Sequence, residues 1–179
     1  MKFVLPALLG VLIAGAHLPA ASAEPTPTAL PTDLPAHVTL VQTTMPQKAI
    51  RKIAATHGVR LPRMFVFNAR REKVLYTIGW SPDVTGRLEA ALAGGKPLKG
   101  GDDFARAVKD LETAPGVPLD AASLPPADFY LIEHWGSWCT PCAVEIDRLV
   151  EILKRDTTHR FVWIGVQFEN PETLGKAAR

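Results

Sequence analysis

Cysteine is scarce in this sequence, with two residues among 179, and charge of neither sign dominates. The 20 Lys and Arg residues are balanced by 18 Asp and Glu residues, which leaves a formal net charge of +2. Because a nucleic-acid binder needs a basic excess to neutralise phosphates, the composition argues against that class of protein. The 16 Pro and 13 Gly residues follow no fixed period, which excludes a collagen-like chain.

Long hydrophobic runs are also missing. The mostly apolar run over residues 3–16 is shorter than the ~20 residues that a membrane-spanning helix needs. It follows a lysine and precedes Ala21 and Ala23, the spacing of small residues that a signal peptidase recognises. We therefore predict a signal peptide over residues 1–23, export to the periplasm and no transmembrane span after cleavage. An uncleaved membrane anchor is the alternative.

The rest of the chain divides into four predicted segments. Residues 24–36 are rich in Pro and Thr and predict a stiff, disordered leader. Residues 96–127 predict a connector that is mostly loop, with one short helix capped by Asp102. Residues 37–95 predict, in order, a strand from Val38, a helix from Pro46 to Gly58, a hairpin that turns at residues 68–73, and a helix with Ser81 at its N-cap.

The segment over residues 128–179 predicts a strand, a helix and a second strand. The second strand is a continuous apolar run, which is typical of a sheet covered on both faces. Such spacing predicts a parallel βαβ unit whose functional residues lie at the first strand-to-helix turn. The predicted fold class is therefore α/β, with a central mixed sheet flanked by helices.

Both cysteines lie at that turn, in the sequence Trp138-Cys-Thr-Pro-Cys142. A CxxC pair at a helix start places Cys139 near unpaired backbone N–H groups and the positive end of the helix dipole, which favours a thiolate. Cys142 lies one turn later and is placed to resolve a mixed disulfide formed on Cys139. Pro141 suits the first helical turn because its missing N–H would have no helix partner there.

Three other interpretations of the cysteine pair remain. A purely structural disulfide would close a short loop and contribute about 2 kcal/mol. A zinc site normally requires four ligands, and the sequence has no second cysteine pair near its scattered histidines. Buried, inert thiols fit poorly with a proline-containing turn that should be partly exposed. We expect no metal and no organic cofactor.

The segment His134-Trp-Gly-Ser-Trp-Cys-Thr-Pro-Cys142 resembles the active-site segment of the thioredoxin superfamily, in particular the exported reductases of cytochrome c maturation. The resemblance implies a thioredoxin-like fold and a redox-active disulfide. It also implies that Glu133 is a buried acid that exchanges protons with Cys142, and that Glu145 is an acid of the exported branch. For Glu133 the alternative is an edge or loop position, and for Glu145 it is a solvated helix position.

The order of the halves departs from the family pattern. Thioredoxins continue after the strand that follows CxxC to a cis-proline, a hairpin and a final helix, whereas here residues 37–95 resemble that half and come first. Pro62 is the candidate cis-proline, and Leu61, Trp138, Thr140 and Pro141 are expected to contact the substrate. We favour a circular permutation, with tandem degenerate copies, a swapped dimer and a truncated product as alternatives.

The sequence therefore predicts an extracytoplasmic thiol:disulfide oxidoreductase. Its partners would be protein disulfides and an unidentified thiol electron donor. No His separates the cysteines, which favours a reductase over an oxidase or isomerase. The alternative from another class is a redox-inactive binding or assembly module.

Overall fold

The computed structural model describes residues 29–168, whose elements follow an α/β order. The predicted signal peptide and the first part of the leader lie outside the described residues, as does the chain after residue 168. In chain order the elements are β1 (Val38–Thr44), α1 (Gln47–His57), β2 (Arg63–Asn68), β3 (Lys73–Ile78), α2 (Val84–Leu92), α3 (Phe104–Val108), β4 (Glu112–Ala114), β5 (Val117–Pro118), β6 (Phe129–Trp135), α4 (Thr140–Arg155) and β7 (Phe161–Gln167).

One mixed sheet contains all seven of these strands, in the order β3-β2-β6-β7-β1-β4-β5. Strand β7 pairs in parallel with both β6 and β1, whereas β2 pairs antiparallel with β6 and β3. The parallel βαβ unit and the antiparallel hairpin predicted from the sequence are thus confirmed. Strands from residues 37–95 and from residues 128–168 share one sheet, as the favoured architecture expects.

Helices cover both faces of the sheet and divide the core into two clusters. On one face α2 and α4 pack over β6 through Leu88, Leu149 and Leu131. On the other face α1 and α3 pack over it through Ile50, Phe104 and Ile132. Because successive strand residues point to opposite faces, each buried strand contributes to both clusters, which explains the continuous apolar run of β7. Within residues 29–168 no helix is long and apolar enough to cross a bilayer.

Two predicted helix caps are wrong by one or two residues. Helix α2 has Asp83 rather than Ser81 at its N-cap, and the Ser81 hydroxyl instead donates to the Asp83 carboxylate. Helix α3 is capped by Asp103, whose side chain accepts from the Arg106 backbone N–H at 2.8 Å. Asp102 and Asp103 offer the same capping chemistry, so the path of the backbone decides which of them caps α3.

The predicted connector and leader are more ordered than expected. Strands β4 and β5, predicted as loop, form a short hairpin at the edge of the sheet beside β1. Leu30, predicted to lie in a disordered leader, is only 9% exposed and belongs to the core under α4. Gly165 leaves the space for it, since a Cβ added there would collide with the Leu30 side chain.

Leu30 and Gly165 should therefore be energetically coupled. We expect Leu30→Ala to lower the free energy of unfolding by about 2 kcal/mol, because a buried leucine side chain is truncated. Gly165→Ala should cost a similar amount by expelling Leu30, and the double variant should cost clearly less than the sum of the two. Urea unfolding of the single and double variants measures the coupling.

The control is Leu98→Ala, because Leu98 is 47% exposed. That substitution should change the unfolding free energy by no more than about 0.5 kcal/mol. Additive costs for Leu30→Ala and Gly165→Ala would contradict the contact.

Candidate functional site

The cysteine pair lies at the start of α4, at the carboxyl edge of β6. Cys139 is the N-cap residue of this 16-residue helix, with a proline in the first turn and Lys154 and Arg155 in the last turn. The Cys142 backbone N–H donates to the Cys139 Sγ at 3.2 Å. The two sulfurs form a disulfide bond, and the Cα atoms are 5.2 Å apart. An N-cap sulfur that accepts a backbone N–H is stabilised as a thiolate when the disulfide is reduced.

Exposure differs sharply within the CxxC turn. Thr140 and Pro141 are exposed and Trp138 is 39% exposed, in line with a turn that a substrate can reach. Cys139 is only 4% exposed and Cys142 is fully buried, so the argument from the sequence against buried thiols is wrong: the turn is exposed but its sulfurs are not. Both cysteines belong to the apolar cluster that α4 covers, and Leu61 packs against this cluster. The disulfide is therefore reached only through the residues that cover it.

Gly136 is a site residue that the sequence reasoning missed. A Cβ added there would lie 2.8 Å from the Trp138 Nε1 and 3.3 Å from the Phe168 carbonyl oxygen. The indole of Trp138 thus folds back over the Gly136 backbone. A glycine between two tryptophans, three residues before Cys139, was the available signal for this close approach.

Pro62 lies at the same edge of the sheet as the cysteines. The Leu61–Pro62 peptide bond is cis, as predicted. Arg63 pairs with His134 across β2 and β6, so the preceding Pro62 lies beside the end of β6 from which the CxxC turn departs. The Pro62 carbonyl accepts from the Gly79 N–H at 2.7 Å, which holds the end of β3 against it. The structure therefore brings Pro62, Leu61 and the CxxC turn to one edge.

Glu133 of β6 and Glu145 of α4 form a buried acidic pair between these two elements. They are 0% and 1% exposed, so the edge position considered for Glu133 and the solvated position considered for Glu145 are both wrong. Among the described residues no hydrogen bond of ordinary geometry reaches either carboxyl group, although the Trp163 side chain acts on Glu133 to lower its pKa. Burial raises the pKa of Glu133 well above its ordinary value, and the charge of Glu145 raises it further. Burial also raises the pKa of Glu145 to about 7.

His134 lies on the opposite face of the sheet from Glu133, because neighbouring strand residues alternate between faces. Its ring packs edge-on against Phe65 and Phe168 and is 3% exposed. Burial, together with the charge of Arg63, lowers the pKa of His134 to about 3. No role was predicted for His134 within the motif, and its side chain lies on the face of the sheet opposite the cluster that contains both cysteines.

Over residues 29–168, His, Cys, Asp and Glu form no group of three or more that could hold a metal ion. Comparisons of the chain with protein-family models, with curated proteins and with solved structures found no match.

Because the pKa of Glu145 is raised, lowering the pH should stabilise the wild type more than it stabilises a variant that lacks this carboxyl. A folded-state pKa of about 7, above the ordinary glutamate value of 4.5, means that the folded protein binds more protons than the unfolded chain between these pH values. The stability contributed by the neutral carboxyl is therefore complete below the lower value and falls as pH rises through the upper one. The unfolding free energy of Glu145→Gln minus that of the wild type should therefore rise by about 2 kcal/mol as the pH is raised from 5 to 8.

Denaturant unfolding at both pH values measures this difference, with Glu151→Gln as the control on an exposed position of α4. The control should show the same difference from wild type at pH 5 and pH 8. A pH-independent effect of Glu145→Gln would contradict the raised pKa.

Proposed function

We propose that this protein is an extracytoplasmic thiol:disulfide oxidoreductase that reduces protein disulfides. The observation that carries the proposal is the disulfide at the N-terminus of α4 with cis-Pro62 at the same edge of the sheet. A dithiol at a helix start, flanked by exposed residues that a partner chain can contact, is suited to disulfide exchange. The export signal predicted over residues 1–23 favours an extracytoplasmic location.

A thioredoxin-like fold with permuted halves is part of the proposal. The cis-proline, the antiparallel hairpin and the following helix α2 precede the βαβ unit in this chain, whereas the family places them after it. They nevertheless join the same sheet, because β2 pairs with β6 over six residues. Permutation explains this arrangement, since it changes the chain order of strands without changing their neighbours.

The proposed reaction begins with both cysteines reduced. The Cys139 thiolate attacks the partner disulfide, forms a mixed disulfide and releases one partner thiolate. Cys142 then loses its proton to Glu133 and attacks the Cys139 sulfur, which releases the second partner thiolate. Two electrons pass to the partner, and the protein returns to the disulfide form. A thiol donor must supply two electrons to reduce it again.

Glu133 is suited to the proton transfer because it lies buried on the face of β6 that α4 covers. Once it is ionised, a carboxyl with a raised pKa is a stronger base than an exposed glutamate, so it takes the Cys142 proton more readily. Glu145 raises that pKa further and so adjusts the proton affinity of the pair. We propose Glu133 as the proton acceptor and Glu145 as a positioning residue that acts through it.

Leu61, Trp138, Thr140 and Pro141 are the proposed contacts with the partner chain. Three of them are exposed around the disulfide, and Leu61 is half-buried beside Pro62. Ile78 and Trp80 extend this apolar rim from the end of β3, with exposures of 45% and 42%. A rim of this kind favours a polypeptide partner over a small thiol, because it offers more area than a small thiol can cover.

One observation favours a second candidate function. Since Cys139 is 4% exposed, a partner sulfur reaches it only after a side chain that covers it moves. A protein that keeps this rim closed would bind partner chains without exchanging disulfides. The second candidate is therefore a redox-inactive binding or assembly module with the same rim.

Insulin reduction with dithiothreitol as donor separates the two candidates. We expect catalysed turnover by the wild type and background rates for Cys139→Ser, because that substitution removes the attacking sulfur. Cys142→Ser should accumulate the mixed disulfide on Cys139, since the resolving thiol is absent. Glu133→Gln should slow exchange roughly a hundredfold near neutral pH, the size of a general acid–base effect.

The matched control is Ser137→Ala, an exposed residue of the same turn, which should keep wild-type turnover. Turnover in Cys139→Ser equal to that of the wild type would refute the exchange mechanism. Wild-type protein that binds insulin without reducing it would favour the binding module.

The direction of the reaction is tested by the reduction potential. Thr140 and Pro141 provide no positive charge between the cysteines, so the thiolate is stabilised less than in strongly oxidising relatives. We expect a potential near that of thioredoxin, about −270 mV, on equilibration with glutathione buffers. Thr140→His should raise the potential, because a cation there stabilises the thiolate. A wild-type value above about −180 mV would exclude the reductase assignment.

A further inference from the structure

A groove of about 390 Å³ opens beside cis-Pro62, at the edge of the sheet that carries the disulfide. Most of its lining is apolar and includes Leu61, next to the cis-proline, and Tyr76 and Ile78 of β3. Leu61 and Ile78 also belong to the apolar rim around the CxxC turn, and Ile78 is 45% exposed. The groove is therefore continuous with the surface that is proposed to contact the partner chain.

The charged residues that line the groove are both cations. They are Arg60 and Arg63, and no carboxylate of the described residues lines it. Arg63 is already paired, since its guanidinium lies 3.6 Å from the carboxylate of Asp102. Arg60 is exposed, and its side chain makes no ion pair or hydrogen bond within residues 29–168. The guanidinium of Arg60 is thus free to pair with a carboxylate from outside the described chain.

Helix α1 brings further cations to the same edge of the sheet. Strand β1 runs parallel to β7, and β7 runs parallel to β6, so β1 ends at the edge where the CxxC turn leaves β6. Helix α1 begins just after β1, and Ile53 near its end and Gly58 after it line the groove. The exposed residues of α1 include Lys48, Arg51 and Lys52, which form no ion pair with another described residue.

Few carboxylates oppose these cations. No Asp or Glu occurs between Asp33 and Glu72, the stretch that contains β1, α1, β2 and every cation named above. Asp102, which belongs to the connector, is held by Arg63 and by Arg106 at 3.0 Å. The edge beside the disulfide therefore carries an excess of positive charge, which attracts a negatively charged partner.

We infer that the groove binds an acidic segment of the partner polypeptide, in which apolar side chains adjoin Asp or Glu residues. The apolar side chains pack against Leu61, Tyr76 and Ile78, and a carboxylate accepts two hydrogen bonds from the guanidinium of Arg60. The cations of α1 speed the encounter. A concave groove favours a polypeptide over an anionic membrane, because single side chains enter it and a planar surface does not. The inference rests on the proposed function for the identity of the partner, the chain whose disulfide is exchanged.

Titration of the oxidised protein with cysteine-free peptides tests the inference apart from any redox step. The probe is a short peptide of leucines flanked by glutamates, and the comparison peptide has lysines in place of the glutamates. Backbone amide shifts in nuclear magnetic resonance spectra should change saturably at residues 59–63 and 76–80. The glutamate peptide should bind at least about tenfold more tightly than the lysine peptide at low salt. This preference should shrink at about 1 M salt, where the Debye length falls to about 3 Å.

Charge reversal at Arg60 assigns the preference to this residue. Arg60→Glu should lower the ratio of the two affinities at least about fivefold, because it repels the glutamate peptide and attracts the lysine peptide. Lys99→Glu is the matched control, since it changes the net charge equally at an exposed position. The neighbouring Leu98 N–H donates to the carbonyl of Lys73 at the start of β3, which places Lys99 at the opposite edge of the sheet. The control should change the ratio by less than about twofold.

Several results would overturn the inference. They are the absence of saturable binding, equal affinities for the two peptides, and an affinity ratio that Arg60→Glu leaves unchanged. Peptide binding that requires removal of residues 169–179 would make that segment the occupant. Shifts of the same residues with anionic vesicles or with protein concentration, in place of peptide binding, would assign the surface to a membrane or to a second copy.

Insulin reduction by the same samples keeps the two claims apart. Charge-selective peptide binding without Cys139-dependent turnover would refute the proposed function and leave the acidic partner in place. Turnover that depends on Cys139, together with equal binding of both peptides, would refute this inference alone.

Discussion

Parallel pairing of β6 with β7 is the constraint on which the rest of the structure depends. Two parallel neighbours require a crossover connection, and α4 provides it from the carboxyl edge of β6. The first turn of α4, with Cys139 at its cap, must therefore lie at that edge. Strand β2 runs antiparallel to β6 and begins where β6 ends, which brings Pro62 to the same edge. The candidate site is thus a consequence of strand direction.

Alternation along β6 separates two kinds of buried polar group. Glu133 faces α4 and shares that side with Glu145, whereas His134 packs against Phe65 and Phe168 on the face that α1 and α3 cover. Burial disfavours the charged form of each, so it raises the pKa of the carboxyls and lowers that of the imidazole. Adjacent residues of β6 therefore lie in two different environments. The proposed proton transfer is built on this alternation.

Much of the fold followed from local patterns. The periodicities of β1, of the hairpin and of the βαβ unit predicted those elements, because each buries a face that its own residues define. The helix caps at Asp83 and Asp103 were missed, since neighbouring polar residues compete for one position and backbone direction chooses between them. Strands β4 and β5 were missed because three residues and two residues carry too little pattern, and pairing with β1 and with each other stabilises them.

The sequence by itself determined the position of the cysteine pair at a helix start and the likeness that made Pro62 a candidate cis-proline. These features are local, since a CxxC turn and an X–Pro bond carry their chemistry within a few residues. Only the tertiary structure decided that Cys139 is covered, that Leu30 fills the space above Gly165, and that Glu133 and Glu145 share one buried environment. Burial depends on residues far apart in the chain, and neither composition nor spacing specifies which of them meet.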